Sequence, residues 1–140
     1  MIIHIELPFP PTVNSYYGHN KRGIKYITKR GKSFREEVRE MCVEQNVFGL
    51  SIDHKLQMDV ILYPPDRRVR DLDNYMKALL DALGNPKDGT GAKVWVDDSQ
   101  IDDLHPQRGV VLPKGKCSVR LQEHNGFILP NNPDVWDFID

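Results

Sequence analysis

The amino-acid sequence predicts a single α+β domain in which two helices pack on a small mixed sheet, with elements in the order β-α-β-α-β-β. Three observations carry this expectation. Two segments repeat apolar residues at helical spacing, four repeat them in alternation, and the breaks between them are filled with Pro, Gly and Asn.

Ile2 to Leu7 alternates apolar and polar residues and predicts a strand, stopped by Pro8-Phe9-Pro10-Pro11, which cannot extend a ladder. The stretch from Thr12 to Arg30 is rich in turn formers, with Ile24 to Thr28 as a short strand. Ser33-Phe34-Arg35-Glu36 has the form of a capping box and predicts a helix start there. Phe34, Val38, Met41, Cys42 and Gln45 then fall on one helical stripe, with Gly49 at its end. Ile52, His54, Leu56, Met58, Val60 and Leu62 alternate with polar residues and predict a long half-buried strand, ended by Pro64-Pro65. Leu72, Met76, Leu79, Leu80 and Leu83 trace a second amphipathic helix, closed by Gly84 and Pro86. After a turn-rich loop from Gly84 to Gly91, Leu104 to Leu112 and Lys116 to Glu123 predict two strands joined across Pro113-Lys114-Gly115.

With 140 residues, 39% of them hydrophobic and 28% charged, the chain has the composition of one soluble domain with one core. No apolar run approaches bilayer length, so no membrane association is expected, and the N-terminus lacks a basic region and cleavage site for secretion. Cys42 and Cys117 make no disulfide framework and suit a reducing, cytoplasmic compartment. The net charge of −1 gives no overall pull toward nucleic acid, but its distribution is uneven. Eight Lys and Arg lie between Lys21 and Arg39, among them Lys29, Arg30 and Lys32, and Arg67, Arg68 and Arg70 crowd the second loop. Such patches either track phosphates or form an ordinary solvated face.

Asp71-Leu72-Asp73 stands where the arginine-rich loop becomes a helix. In a regular helix residues i and i+2 point apart, but an extended first residue lets both carboxylates enter one cleft. Helix capping explains one aspartate there; two, preceded by three arginines, strain that explanation. Asp97-Asp98 follows the apolar run Val94-Trp95-Val96, and Asp102-Asp103 comes shortly after. Such doublets ordinarily mark solvated turns. Set beside Asp71 and Asp73, a third carboxylate makes a hard-oxygen site suited to Mg²⁺, because clustered carboxylates repel unless a cation joins them. Lys77 lies one turn beyond Asp73, either as a surface ion pair or as a cation near a scissile phosphate. There is no Gly-rich phosphate loop, no Cys/His zinc spacing and no Ser-His-Asp set, and the five histidines are scattered, with His54 more consistent with a structural role.

At this point the residues resemble a family. Leu7-Pro8-Phe9-Pro10-Pro11 with Asn14, Tyr16-Tyr17 and His19-Asn20 is similar to the N-terminal signature of the RusA family of Holliday junction resolvases. Asp66-Arg67-Arg68-Val69-Arg70-Asp71-Leu72-Asp73-Asn74, with Lys77-Ala78 and Asp81-Ala82-Leu83, is similar to the central one, and Trp95 to Ile101 to the third. The resemblance implies a RusA-like fold over residues 1–126 and a homodimeric, Mg²⁺-dependent endodeoxyribonuclease, with Mn²⁺ as a substitute metal. Its substrate would be branched DNA, nicked symmetrically at four-way junctions during recombination and repair, and many members are phage- or prophage-borne. By that resemblance Asp71, Asp73 and Asp98 are the metal-binding catalytic carboxylates and Lys77 the catalytic lysine. Arg70 matches a basic residue beside the site. Arg67, Arg68, Lys29, Arg30, Lys32, Asn14 and Tyr17 are the further candidates for DNA contact, with Tyr16, Tyr17 and Phe9 either stacking on bases or packing under a loop.

A non-catalytic, structure-selective DNA-binding protein and a nuclease for flaps or forks remain as alternatives. The chain departs from the family in its longer Gly84–Val94 connection and in the acidic-aromatic tail 127–140. Val135, Trp136, Phe138 and Ile139 set among Asp134, Asp137 and Asp140 suggest either docking on the domain or its dimer mate, or a short peptide for a protein partner.

Overall fold

The computed structural model describes residues 1–126, so the expectations for the tail lie outside the described residues. Strand β1 (Ile2–Leu7) ends at the proline run and is followed by a single helical turn, α1 (Val13–Tyr16). A small antiparallel ribbon, β2 (Tyr17–His19) and β3 (Lys25–Ile27), leads into the long helix α2 (Lys29–Glu44). Strand β4 (Leu56–Tyr63) precedes a 3₁₀ turn (Leu72–Tyr75) that runs into α3 (Met76–Leu83). A second 3₁₀ turn (Asp98–Gln100) introduces β5 (Ile101–Arg108), and β6 (Lys116–Glu123) closes the described chain.

The sheet order is β1-β6-β4-β5. β6 runs antiparallel to both β1 and β4, whereas β5 runs parallel to β4 along the edge. Parallel pairing requires a long crossover, and α3 supplies it. β5 carries Pro106, which an edge strand tolerates. Along β4, Leu56, Met58, Val60 and Leu62 are buried, and the alternate residues face a polar layer where Arg120 meets Asp59 at 2.9 Å and Gln122 meets Gln57 at 2.7 Å. The buried face joins Phe34, Val38 and Cys42 of α2 and Ala78, Leu79, Ala82 and Leu83 of α3 in one apolar core. The predicted α+β class and the order of the main elements therefore hold.

The structure corrects four local expectations. α2 starts at Lys29, not at Ser33, because the Thr28 side chain accepts from the Gly31 amide and its hydroxyl donates to the Ser15 carbonyl at 2.5 Å. α2 ends at Glu44, well before Gly49: just past the Gln45 cap, Asn46 takes a left-handed φ of 61°, and the Val47 amide reaches back to the Cys42 carbonyl at 2.9 Å. Ile52 is not part of β4 but bridges Trp95. Asp102 and Asp103, expected in a turn, lie in β5, where Lys55 stands 3.5 Å from Asp102 and His105 pairs with Asp103.

Candidate active site

Two short turns deliver the acids. Asp71 has an extended backbone (φ −91°, ψ 129°) and precedes the 3₁₀ turn, yet its side chain makes no capping hydrogen bond. The capping explanation for Asp71 therefore fails. Asp71 and Asp73 are exposed, and among the described residues neither carboxylate has a hydrogen-bond or ion-pair partner.

Trp95 is fully buried, and the chain around it is tied to residue 52 and to the end of α3: the Val94 amide donates to the Leu83 carbonyl at 3.0 Å and the Val96 amide to that of Ile52 at 3.1 Å. Beyond this anchor the adjacent aspartates separate. Asp97 forms a capping box with Gln100, and Gln100 in turn donates to the carbonyls of Ile52 and His54 at 2.7 and 3.0 Å. Asp98 turns inward and accepts from Trp95 Nε1 at 2.7 Å. Burial pushes the Asp98 carboxyl above its ordinary range; the Trp95 hydrogen bond opposes this, Asp81 adds to it, Lys77 opposes it and Asp97 adds.

Asp98 opens onto a cleft of about 300 Å³ that is shared with Tyr17, Arg35, Lys77, Asp81 and Asp97 and walled by residues 85–87 of the Gly84–Val94 connection. Asp81 is the acid that sequence reasoning did not place in the site. It is 7% exposed, and its two oxygens are divided between partners. Oδ1 accepts from Lys77 Nζ at 3.1 Å, whereas Oδ2 accepts from the Tyr17 hydroxyl and lies 3.8 Å from Arg35. Burial and the bond to Asp81 raise the Tyr17 phenol well above its ordinary range. The one acid in the stretch Met76–Leu83, four residues from its one lysine and otherwise among apolar residues, was the available signal.

Arg35 is buried and bonds Tyr16, Asp88 (2.7 Å) and Thr90, which ties the Gly84–Val94 connection to α2. Burial works against the Arg35 cation, but Tyr16 and Asp88 outweigh it and raise its pKa. Tyr16 itself is pushed up to about 12, chiefly by burial.

The basic candidates sort into two groups. Arg67 and Arg68 are exposed on the loop, although Arg68 Nε lies 3.5 Å from Asp66. Arg70 is largely buried, bound to Asp66 at 2.8 Å and set over the Phe9 ring. Arg30 at the start of α2 joins Arg68 and Arg70 around a groove of about 390 Å³ floored by Phe9 and Tyr75. Lys29 and Lys32 are exposed on the same first turns, with Lys32 on the side toward Arg35, and Asn14 is exposed on α1. Tyr16 is wholly buried, Phe9 packs on Tyr75 with ring centres 5.0 Å apart, and Tyr17 lies under Lys25 with its hydroxyl on Asp81. Packing under the loop thus accounts for Phe9 and Tyr16, whereas Tyr17 belongs to the cleft wall.

The expected three-acid cluster is not preassembled: among the described residues no group of three or more His, Cys, Asp or Glu is placed to hold a metal ion. The donor chemistry nevertheless suits a hard cation, since Asp71 and Asp73 carry uncommitted carboxylates and the half-buried Asp98 lacks a full countercharge. No helix of the described residues is long and apolar enough to cross a membrane.

The family model described as Endodeoxyribonuclease RusA matches residues 8–120. Crossover junction endodeoxyribonuclease rusA of Enterobacteria phage 82 is 34% identical over 120 residues, covering 86% of this chain and 93% of the relative. The proteins of that name from Enterobacteria phage HK97 and Escherichia coli K12 are 36% and 35% identical, over 84% and 85% of this chain and 91% and 92% of their own. A family match that runs from just after β1 into β6 and contains both the Arg-Asp-Leu-Asp turn and the Asp98 turn places this chain in the RusA endodeoxyribonuclease family.

Proposed function

We propose that this protein is a cytoplasmic, structure-selective endodeoxyribonuclease that resolves four-way DNA junctions by paired symmetric nicks, acting as a homodimer with its catalytic domain in residues 1–126. The observation that carries the reading is the cleft in which Asp98, turned inward by Trp95, shares space with Lys77. Asp71, Asp73 and Asp98 would hold Mg²⁺, or Mn²⁺ in its place; the bound cation supplies charge neutralisation at the phosphate and acidifies water. The protein's own residues do the rest. Lys77 offsets charge that develops on the scissile phosphate, and Asp98, kept partly from water, attracts a cation more strongly than an exposed carboxylate would. Arg67, Arg68, Arg30, Lys29 and Lys32 grip backbone phosphates, which sets register without reading sequence, with Arg70, Asn14 and Tyr17 lining the approach. A four-way junction has near two-fold symmetry, so a two-fold dimer presents two clefts to opposed strands.

The test is cleavage of a labelled synthetic four-way junction, a fork, a flap and a linear duplex, each with and without Mg²⁺. Paired nicks on the junction alone, only with metal, are expected. Asp71→Asn, Asp73→Asn and Asp98→Asn should each abolish cleavage and leave junction binding intact or tighter, since repulsion of phosphate falls. Full metal-dependent cleavage by Asp73→Asn would overturn the site assignment. Binding without cleavage by the unaltered protein would favour a DNA-binding role instead.

A further inference from the structure

We propose that Asp81 is a positioning residue of the cleavage reaction: it fixes the Lys77 ammonium inside the cleft beside Asp98, while Tyr17 and Arg35 fix Asp81. The inference rests on Lys77 acting at the scissile phosphate, as proposed for the function, and concerns what makes that lysine effective.

A lysine side chain turns about four bonds, and the Lys77 side chain is half exposed, at 50%. Left alone it would spend most of its time in water, away from any bound phosphate. Asp81 lies one helical turn further along α3, and its Oδ1 holds Lys77 Nζ at 3.1 Å. The anchor is itself rigid. With 7% of its surface exposed, Asp81 has little room to rotate, and its other oxygen is engaged by the Tyr17 hydroxyl, with Arg35 at 3.8 Å. Tyr17 belongs to β2 and Arg35 to α2, so three separate elements converge on one carboxylate.

A purely structural acid would need less. Arg35 already has a closer anionic partner in Asp88, at 2.7 Å against 3.8 Å to Asp81, so Asp81 is not required to neutralise it. Oδ2 alone serves the link to Tyr17. Oδ1 is left to Lys77, and both residues line the same cleft as Asp98. Preorganisation of this kind raises rate without adding substrate affinity, because the charge is already in place before the transition state forms.

The experiment is a double-mutant cycle on Asp81→Asn and Lys77→Ala, read as the single-turnover cleavage rate of a labelled four-way junction with Mg²⁺. Junction affinity without metal and the melting temperature are measured alongside. Asp81→Asn keeps the shape and the Tyr17 contact but weakens the hold on Lys77. It should slow cleavage by on the order of tenfold to a hundredfold while affinity is unchanged or tighter. In the Lys77→Ala background the same change should cost no more than about twofold, because its effect passes through the lysine. Losses that multiply in the double variant, or a cleavage rate in Asp81→Asn like that of the unaltered protein, would overturn the proposal. Should Asp81→Asn fail to fold, Asp81→Glu keeps the charge and moves it by one methylene. Slowed cleavage at unchanged affinity is again expected, and unslowed cleavage would overturn the proposal. The failure of the underlying reading looks different: Lys77→Ala would then cleave as well as the unaltered protein.

Discussion

A Cβ on Gly84 would stand 2.5 Å from Asp98 Oδ1, 2.7 Å from Trp95 Nε1 and 2.8 Å from the Leu80 carbonyl oxygen. Contacts that close require movement, and the groups that must move are the ones that aim Asp98 into the cleft. Gly84 was legible in the sequence as a helix terminator; that it also makes room for a carboxylate was not, because Asp98 is fourteen positions away. Gly84→Ala should cost about 1–3 kcal/mol of stability, as expected of overpacking. It should also lower junction cleavage by on the order of a hundredfold through a displaced carboxylate. A thermal melt and a cleavage time course check both, and normal cleavage would show that Asp98 tolerates a different aim. The choice between Asp97 and Asp98 is of the same kind. Both are acids in one turn, but the capping box consumes Asp97 and leaves Asp98 to the Trp95 indole.

Among elements, the Gly84–Val94 connection depends on α2. Arg35 is one of the α2 residues facing the core, and Asp88 with Thr90 closes over it. Burial works against the Asp88 carboxylate, but the Thr90 hydroxyl and amide and the Arg35 cation hold its pKa below the usual carboxylate range. Its stabilising effect is therefore present above the unfolded value of about 3.9 and is lost as pH falls through the lower folded value. Asp88→Asn should lower stability near neutral pH by about 1 kcal/mol, a charge-assisted hydrogen bond discounted for solvent screening of a half-exposed carboxylate. That difference should shrink below about pH 4, where the unaltered protein also loses the charge. Denaturant melts at pH 7 and pH 3 measure it; an equal difference at both would remove Asp88 as the anchor. The start of α2 differs from the local pattern for a related reason. Ser33 and Glu36 satisfy a capping pattern, but Thr28 prevails because it also reaches the Ser15 and Tyr16 carbonyls, a tertiary contact that no local pattern contains.

At the scale of the whole molecule, the proposed grip on phosphates has to come from where the basic residues stand, since the net charge is −1. Arg67 and Arg68 are exposed on the loop between β4 and α3, and Arg68 shares its groove with Arg30 of α2. Replacing Arg67 and Arg68 together by alanine should reduce the slope of log K against log salt by about 1 to 2, near 0.9 for each phosphate no longer neutralised. Affinity for junctions of different sequence should fall to a similar degree, because phosphate contacts carry no sequence information. Junction titrations over a range of salt decide it. An unchanged slope would mean that the phosphates are gripped elsewhere. Arg70 should behave differently, since Asp66 and the Phe9 ring already hold it, and its replacement should register in stability as well as in binding.

The sequence by itself determined the α+β class, the main strands and helices, and the Asp71-Asp73 and Asp97-Asp98 turns with their basic neighbours. These follow from periodicity, from proline and glycine breaks, and from motifs that span only a few residues. Tertiary structure alone decided that β6 lies between β1 and β4, that β5 runs parallel to β4, and that Asp98 bonds the buried Trp95 indole while Asp97 caps its own turn. It also decided that Asp81 meets Tyr17 across 64 positions and that Arg35 meets Asp88 across 53. The physical reason is that a carboxylate's direction and partners are set by which surfaces are left unpaired when helices close on a sheet. That depends on the packing of the entire core, not on the residues beside it in the chain.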